Sequence, residues 1–323
     1  MTMRLDFVRG HMGGNLIILL RGDQIPIGRE LETAVKLLGP DYLSAHEAGI
    51  LYPTDQDGQI EVKIAEATLP SFISACGGLT QVLGAALIET ELGKLFGVEQ
   101  DLSSTEIMLH TDCGPVNLTV DVHESKALRI KTDMECFINE SYDRGVGFLQ
   151  HKGIEVMQAG KFLVINADRF KEVYPNVDFR RWDSKTRQSL LEIQHEFQEK
   201  TGEIEPNVAV YDWNPEYGGH LRVVFPHSVE TEYIEPSCGT GSVALGIAVL
   251  ACGELDHFKD LSPDQSGQLL LNIESGGGIE LGGPEITALE MKIDRGFVKS
   301  AAFSHSRVEI TLWGRPFYEF FAC

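Results

Sequence analysis

Two cysteines 162 residues apart, Cys76 and Cys238, open the same short pattern. The first copy reads Cys76-Gly-Gly-Leu-Thr-Gln-Val-Leu-Gly84-Ala-Ala86, the second Cys238-Gly-Thr-Gly-Ser-Val-Ala-Leu-Gly246-Ile-Ala248. The Cys, the Gly after it, and the later Leu, Gly and Ala recur at identical offsets, which is internal similarity on the scale of half the chain. In each copy a glycine-rich turn feeds an apolar, small-residue helix and places a thiol at its start. A helix amino terminus lowers a cysteine pKa toward neutrality, so a thiolate/thiol pair at working pH is the expectation. Inverting a stereocentre by proton transfer needs a base on one face of the carbon and an acid on the other, and two such thiols supply both. The backbone N–H groups after each Cys are placed to bind a carboxylate and to stabilise negative charge as a carbanion forms. Gly77, Gly78, Gly239 and Gly241, with Thr240 between the last two, keep that backbone accessible. Such a site must also exclude water, so closure of two domains on the substrate is expected. One Cys-Gly at a helix start is ordinarily only a capped turn; the duplication is what points to chemistry.

The elements that must position these thiols read as two similar halves. Strands are expected at 3–9 and 15–20 around His11-Met-Gly-Gly-Asn15, a helix over 28–38, and strands near 49–52 and 59–65. The Cys76 helix is expected to reach about Leu92, followed by strands at 106–109, 116–122 and 127–131. In the second half, strands are expected at 153–157 and 162–167 and a helix over 184–200. Strands at 207–211 and 220–225 then lead into the Cys238 helix, which Gly253 ends. Short strands, including 269–273 and 307–312, fill the rest. Many strands with few helices argue for two α+β domains rather than a doubly wound parallel sheet, with a boundary near residue 130.

Composition fits an ordinary soluble enzyme. With 323 residues and 43% hydrophobic content the chain can bury one or two substantial cores. A formal net charge of -21 argues against nucleic acid and anionic membrane as partners. The longest nearly unbroken apolar run, Val243–Cys252, is too short to span a bilayer, and the amino terminus lacks the apolar core of a signal peptide. A cytoplasmic location is therefore expected. The six cysteines include no CxxC, and no His cluster has zinc-ligand spacing, so no metal site is expected. Cys113, Cys136, Cys252 and Cys323 read as small hydrophobes.

In motif order and spacing the chain resembles the diaminopimelate epimerase family over nearly its whole length. Met3-Arg-Leu-Asp-Phe-Val-Arg-Gly-His-Met-Gly-Gly-Asn15 is similar to that family's opening strand, glycine turn and substrate-binding Asn. Cys76-Gly-Gly stands where the family has Cys-Gly-Asn-Gly, and Ser237-Cys238-Gly-Thr-Gly resembles its Ala-Cys-Gly-Thr-Gly. Pro206-Asn207-Val-Ala matches its second substrate-binding Asn, and Ile273-Glu-Ser-Gly-Gly-Gly-Ile a later strand and glycine turn.

The resemblance implies an α+β fold of two pseudo-symmetric domains, each a β-sheet wrapped around a central helix, with the substrate in the cleft between them. The domains are expected at 1–130 plus 309–323, carrying Cys76, and at 131–308, carrying Cys238. It also implies racemisation or epimerisation of an α-amino acid by Cys76 and Cys238 without pyridoxal phosphate, metal or other cofactor. Asn15, Gly77, Gly78, Asn207, Gly239 and Thr240 would bind the substrate, although both Asn residues serve equally well in turns or caps. Dimers are common in the resembling family, and no dimer surface is legible in this chain.

The departures concern recognition. Where the family carries Gly-Asn-Pro-His, this chain has Gly160-Lys-Phe-Leu, and the Arg that precedes the family's second Cys is absent from His227-Ser-Val-Glu-Thr-Glu-Tyr-Ile-Glu235. The first Cys loop also lacks its Asn. These positions hold the far end of diaminopimelate, so a different amino acid is expected as substrate. His227, or one of Glu230, Glu232 and Glu235, is the candidate replacement. The Gly276–Gly278 run, with no Lys-Ser/Thr after it, reads as a tight turn rather than a phosphate cradle. Two other readings stay open: an isomerase or tautomerase of an unsaturated di- or tricarboxylic acid, needing only one of the thiols, and a non-catalytic amino-acid-binding protein. An oxidised Cys76–Cys238 pair would be an inactivated form.

Overall fold

The computed structural model describes residues 2–67, 69, 71–177, 179, 184–201, 207–226, 234–254, 266–275, 285–314 and 317–319. These fall into two compact units, residues 1–133 with 304–323, and residues 134–303. Each is an α+β domain whose sheet surrounds one buried helix.

In the first unit, β1 (Thr2–Arg4) pairs with β20 (Phe317–Glu319). The strands β2 (Phe7–Met12) and β3 (Asn15–Arg21) form a hairpin across Gly13 and Gly14, whose φ values of 57° and 93° exclude most side chains. The stretch expected as one strand over 3–9 is thus two, and the second runs on to Met12. Helix α1 (Glu30–Leu38) buries Ala34, Leu37 and Leu38 and starts two residues later than expected, because Gly28 sits at φ 81°. It returns the chain so that β4 (Glu47–Pro53) lies parallel to β3, with Ile17 opposite Glu47. Next, β5 (Gln59–Glu66) turns back against β4, and the short β6 (Phe72–Ile73) pairs with its end. Then come α2 (Gly77–Glu89) and α3 (Leu92–Leu95), and the meander β7 (Ser104–Thr111), β8 (Gly114–His123) and β9 (Lys126–Asp133), with β7 parallel to β5.

The second unit repeats this order. Helix α4 (Glu135–Arg144) precedes a hairpin of β10 (Val146–His151) and β11 (Ile154–Ala159), and β12 (Phe162–Asn166) pairs with β11. Helices α5 (Ala167–Val173) and α6 (Ser184–Thr201) carry the chain to β13 (Asn207–Asp212), parallel to β12 with Phe162 opposite Asn207. Then β14 (Leu221–Pro226) turns back, and the short β15 (Ile234–Glu235) pairs with its end. After α7 (Gly239–Ala251), β16 (Gly267–Ser275) runs parallel to β14 and is followed by β17 (Ile286–Asp294) and β18 (Phe297–His305). In the first unit, β19 (Val308–Gly314) closes against β2. Helices α4 and α5 escape a periodicity reading because they are short and bury few side chains: Phe137 and Ile138 in α4, Ala167 and Phe170 in α5. The three strands β16, β17 and β18 are nine residues each, longer than expected.

The central helices are apolar all round, and that is why they sit inside their sheets. Every residue of α2 from Gly77 to Ile88 is buried, as are all residues of α7 from Gly239 to Leu250 except Thr240. The recurring glycine eight residues after each Cys has a packing cause. A Cβ on Gly84 would lie 2.8 Å from Ile130 Cγ2 of β9, and one on Gly246 would lie 2.7 Å from Met291 Sδ and 2.8 Å from Leu289 Cδ2 of β17. Each helix approaches its sheet too closely for any side chain there. We expect Gly84→Val to lower unfolding free energy by roughly 2 kcal/mol through overpacking, whereas Gly147→Ala, with no atom near its Cβ position, should leave the urea midpoint nearly unchanged.

Candidate active site

Both cysteines occupy the N-cap of a central helix. Cys76 has extended backbone (φ -147°, ψ 119°) and its Sγ accepts the N–H of Leu79 at 3.2 Å; Cys238 (φ -130°, ψ 116°) accepts that of Gly241 at 3.4 Å. Both side chains are buried. A hydroxyl four residues on braces each first turn: Thr80 Oγ1 donates to the Gly77 carbonyl and Ser242 Oγ to the Cys238 carbonyl, each at 2.7 Å. The thiols are therefore held by their own helices, and the backbone geometry of the two caps is nearly the same.

In the first unit Cys76 Sγ donates to Glu47 Oε2 at 2.6 Å. Glu47 is buried at the head of β4 and was not anticipated from sequence, although a lone carboxylate opening the apolar run Glu47-Ala-Gly-Ile-Leu was a readable signal. Asn15, also buried, opens β3, and its side chain meets His46 Nδ1 at 3.0 Å. A Cβ on Gly78 would lie 3.2 Å from Asn15 Nδ2 and 3.7 Å from Cys76 Sγ. Glycine at that position thus allows Asn15, Cys76 and the first turn of α2 to gather. Asn15, Cys76, Gly77 and Gly78 form one cluster, joined by Glu47 and His46.

In the second unit Thr240 Oγ1 lies 3.4 Å from Cys238 Sγ, and the Glu235 carboxyl also hydrogen-bonds the thiol. Gly239 is buried directly after the cap. Asn207 opens β13, at the strand position that Glu47 holds in β4. His227, Glu230, Glu232, Gly276–Gly278 and Cys323 lie outside the described residues.

Electrostatics at Cys238 run against the expectation of a lowered thiol pKa. Burial pushes this thiol well above its ordinary range, the Glu235 charge adds to the rise, and the Thr240 hydroxyl and Gly241 N–H oppose it without prevailing. A helix amino terminus is a partial charge; removal from water and a full negative neighbour outweigh it. Cys252, the other free cysteine among the described residues, is raised to about 11 by burial and by Glu254 and Glu155. Cys113 and Cys136, read from sequence as small hydrophobes, are instead disulfide-bonded. Among the described residues no group of His, Cys, Asp or Glu could hold a metal ion, and no helix is long and apolar enough to cross a membrane.

No protein-family model and no curated protein sequence matches the chain. Solved structures do. A hydroxyproline epimerase from Agrobacterium vitis superposes with TM-score 0.61 at 12% identity, covering 98% of this chain and 91% of that one. A methylitaconate-delta-isomerase gives TM-score 0.63 at 15% identity, covering 98% and 96%. A Bacillus anthracis phenazine biosynthesis protein of the PhzF family gives 0.57 at 13%, covering 98% and 99%. The chain has the PhzF and diaminopimelate-epimerase-like fold. At these identities the likeness is one of architecture, and it includes epimerases and isomerases alike.

Because Glu235 adds negative charge beside Cys238, neutralising it must ease ionisation of the thiol. Site-resolved alkylation of Cys238 across pH should show a midpoint above the ordinary thiol range, and Glu235→Gln should move that midpoint to lower pH. A midpoint unmoved by the substitution would show that burial alone sets the reactivity.

Proposed function

We propose that this chain is a cofactor-independent racemase or epimerase that inverts the α-carbon of an amino acid by proton transfer through Cys76 and Cys238. The observation that carries the reading is the choice of cap. Ser, Thr, Asp and Asn cap helices well, whereas sulfur is a weak acceptor. This chain nevertheless places a buried Cys at the N-cap of both central helices and a carboxylate against each thiol. Capping alone does not explain that choice; proton chemistry does.

In the proposed reaction Glu47 takes the Cys76 proton, and the resulting thiolate removes the α-proton, so that a Cα–H bond breaks and an S–H bond forms. Cys238 delivers its own proton to the opposite face, and the roles exchange in the reverse direction. The first-turn N–H groups of α2 and α7 stabilise charge on the carboxylate as the carbanion forms. Gly77, Gly78, Gly239, Thr240, Asn15 and Asn207 are assigned to substrate binding. Proton shuttling of this kind involves no net redox change and uses Cys76 and Cys238 as free thiols; a cytoplasmic setting is part of the reading, and the disulfide-bonded Cys113 and Cys136 are the feature that stands against it.

The Cys76–Glu47 contact supports one alternative. An acid and a base within a single unit suffice for a proton shift on an unsaturated acid, and one of the similar structures is named a methylitaconate-delta-isomerase. The two readings part on Cys238.

Proton NMR of α-hydrogen exchange in D2O, on pooled amino acids with reduced protein, tests this. We expect deuterium to enter one amino acid in wild type, and both Cys76→Ser and Cys238→Ser to lose inversion by roughly 100-fold or more, the scale of general acid–base catalysis. Serine caps a helix at least as well as cysteine, so the loss would not reflect unfolding. Activity on unsaturated acids that survives Cys238→Ser would establish the isomerase reading instead. A second expectation concerns Glu47→Gln, which keeps the side-chain shape but cannot take a proton. Exchange should fall by roughly 100-fold, with ligand affinity measured by calorimetry changed far less.

A further inference from the structure

Three buried polar side chains in the first unit form a series of hydrogen bonds that capping and core packing do not call for. Thr80 and Gln81 stand side by side in α2, a helix built almost wholly of apolar and small residues, and Thr132 faces them from β9. Thr80 Oγ1 donates to the Gly77 carbonyl at 2.7 Å and lies 2.7 Å from Thr132 Oγ1. Gln81 Nε2 donates to Thr132 Oγ1 at 2.9 Å, and Gln81 Oε1 accepts the backbone N–H of His305, at the end of β18, at 3.2 Å. Polar groups this deep are costly unless they are satisfied, and satisfied they make the surrounding structure rigid.

The direction of each bond in the series is fixed. A backbone N–H only donates and a carbonyl only accepts, so the His305 N–H holds the Gln81 oxygen on its side and turns the amide NH2 toward Thr132. The single hydroxyl proton of Thr80 is committed to the Gly77 carbonyl, so in the contact between the two threonines Thr132 donates. Donation therefore runs in one sense from His305 through Gln81, Thr132 and Thr80 to the Gly77 carbonyl, and hydrogen bonds aligned in this way strengthen one another. That carbonyl shares a planar trans peptide with the Gly78 N–H, which must point the opposite way. A proton donated to the oxygen draws density from the nitrogen and makes the N–H a stronger donor. Gly78 lies beside Cys76 Sγ and Asn15 Nδ2, 3.7 Å and 3.2 Å from where its Cβ would be. The Leu79 N–H is taken by Cys76 Sγ and the Thr80 N–H by the Cys76 carbonyl. Among the described residues, Gly77 and Gly78 are then the first-turn donors left for a ligand.

We infer that Thr132 and Gln81 are positioning residues for the proposed reaction. Through Thr80 they hold the Gly77–Gly78 peptide and strengthen the Gly78 N–H as a donor to the charge that develops with the carbanion. Both act through the peptide and neither touches the substrate. The use made of that N–H rests on the proposed function; its orientation and polarisation belong to the resting protein. The second unit braces a different peptide. Ser242 Oγ donates to the Cys238 carbonyl at 2.7 Å, so the unit held there is Cys238–Gly239 and the donor strengthened is the Gly239 N–H.

The test compares Thr132→Val, which keeps the side-chain shape and removes the hydroxyl, with Thr132→Ser, which keeps the hydroxyl, in reduced full-length protein. Gln81→Met interrupts the series at a second point and carries the comparison should Thr132→Val fail to fold, which urea midpoints report. Amide NMR reads the peptide directly. The Gly78 proton and nitrogen resonances should move upfield in Thr132→Val and Gln81→Met and stay near their wild-type positions in Thr132→Ser. In the deuterium-exchange assay, turnover of the responding amino acid should fall about tenfold in Thr132→Val, less than the roughly 100- to 1000-fold lost with a whole oxyanion donor. KM should change far less, because the donor matters most when charge has developed, and Thr132→Ser should keep most of the turnover. A Gly78 resonance unmoved in a folded Thr132→Val protein, a Thr132→Ser protein as impaired as Thr132→Val, or a loss confined to KM would each overturn the inference. The two arms also separate it from the functional reading. Gly78 resonances that follow the hydroxyl, in a protein that exchanges no α-proton, sustain the held peptide and remove the racemase. Exchange in wild type with unchanged turnover in Thr132→Val overturns the positioning role and leaves the racemase standing.

Discussion

The interaction on which the rest depends is the hydrogen bond from a helix's first turn to a cysteine sulfur at the N-cap. It requires extended backbone at Cys76 and Cys238, helical backbone immediately after, and a turn that can deliver the chain into a fully buried helix. Much of the recurring sequence pattern answers those demands. Glycines after the Cys let the first turn pack without side chains, the hydroxyl four residues on ties the turn together, and the glycine eight residues on lets the sheet close against the helix. The sheets follow from the helices, because a helix that is apolar on every face must be surrounded. In each unit a short strand, β6 or β15, pairs with the end of a longer one and aims the chain at the cap.

The two units share this frame and differ in how a carboxylate reaches the sulfur. In the first it comes from Glu47 at the head of β4; the matching position at the head of β13 is Asn207. In the second it comes from Glu235, three residues before the Cys, where the first unit has Ile73. The two halves thus share the thiols and their caps and differ in the source of the acid. A carboxylate placed from a different position beside the same group in each half points to a shared need. Glu47 and Glu235 approach their thiols from different strands, so the halves are equivalent in fold and unequal in chemistry.

Much of this was legible in the sequence, and the parts that were not share a cause. Strong periodicity and hard stops made α1, α2, α6 and α7 readable, and alternation with glycine punctuation marked most strands. The helices α4 and α5 were missed because they are short and bury few residues, so their amphipathic signal is weak. The pair Cys76 and Glu47 shows the deeper limit. The cysteine announces itself through repetition, but its partner lies 29 residues away on a strand whose register decides which side chain arrives. The parallel pairing of β3 with β4 and the antiparallel pairing with β5 together set the register of Glu47.

A carboxylate beside a buried thiol is costly in one respect and useful in another. It opposes formation of the thiolate, as the raised Cys238 pKa records, and burial strengthens that opposition. It also offers the proton a nearby place to go, so the thiol can be neutral at rest and ionise only when something compensates the charge. In the proposed reaction that something is the substrate: its ammonium brings positive charge next to the carboxylates, and its arrival excludes the remaining water. A reactive thiolate would then exist chiefly in the occupied site, while the resting thiols, poor nucleophiles as such, would be shielded from alkylation and oxidation. By this argument the acidic neighbours make the site conditional on its ligand, at the cost of a lower thiolate population in the free protein.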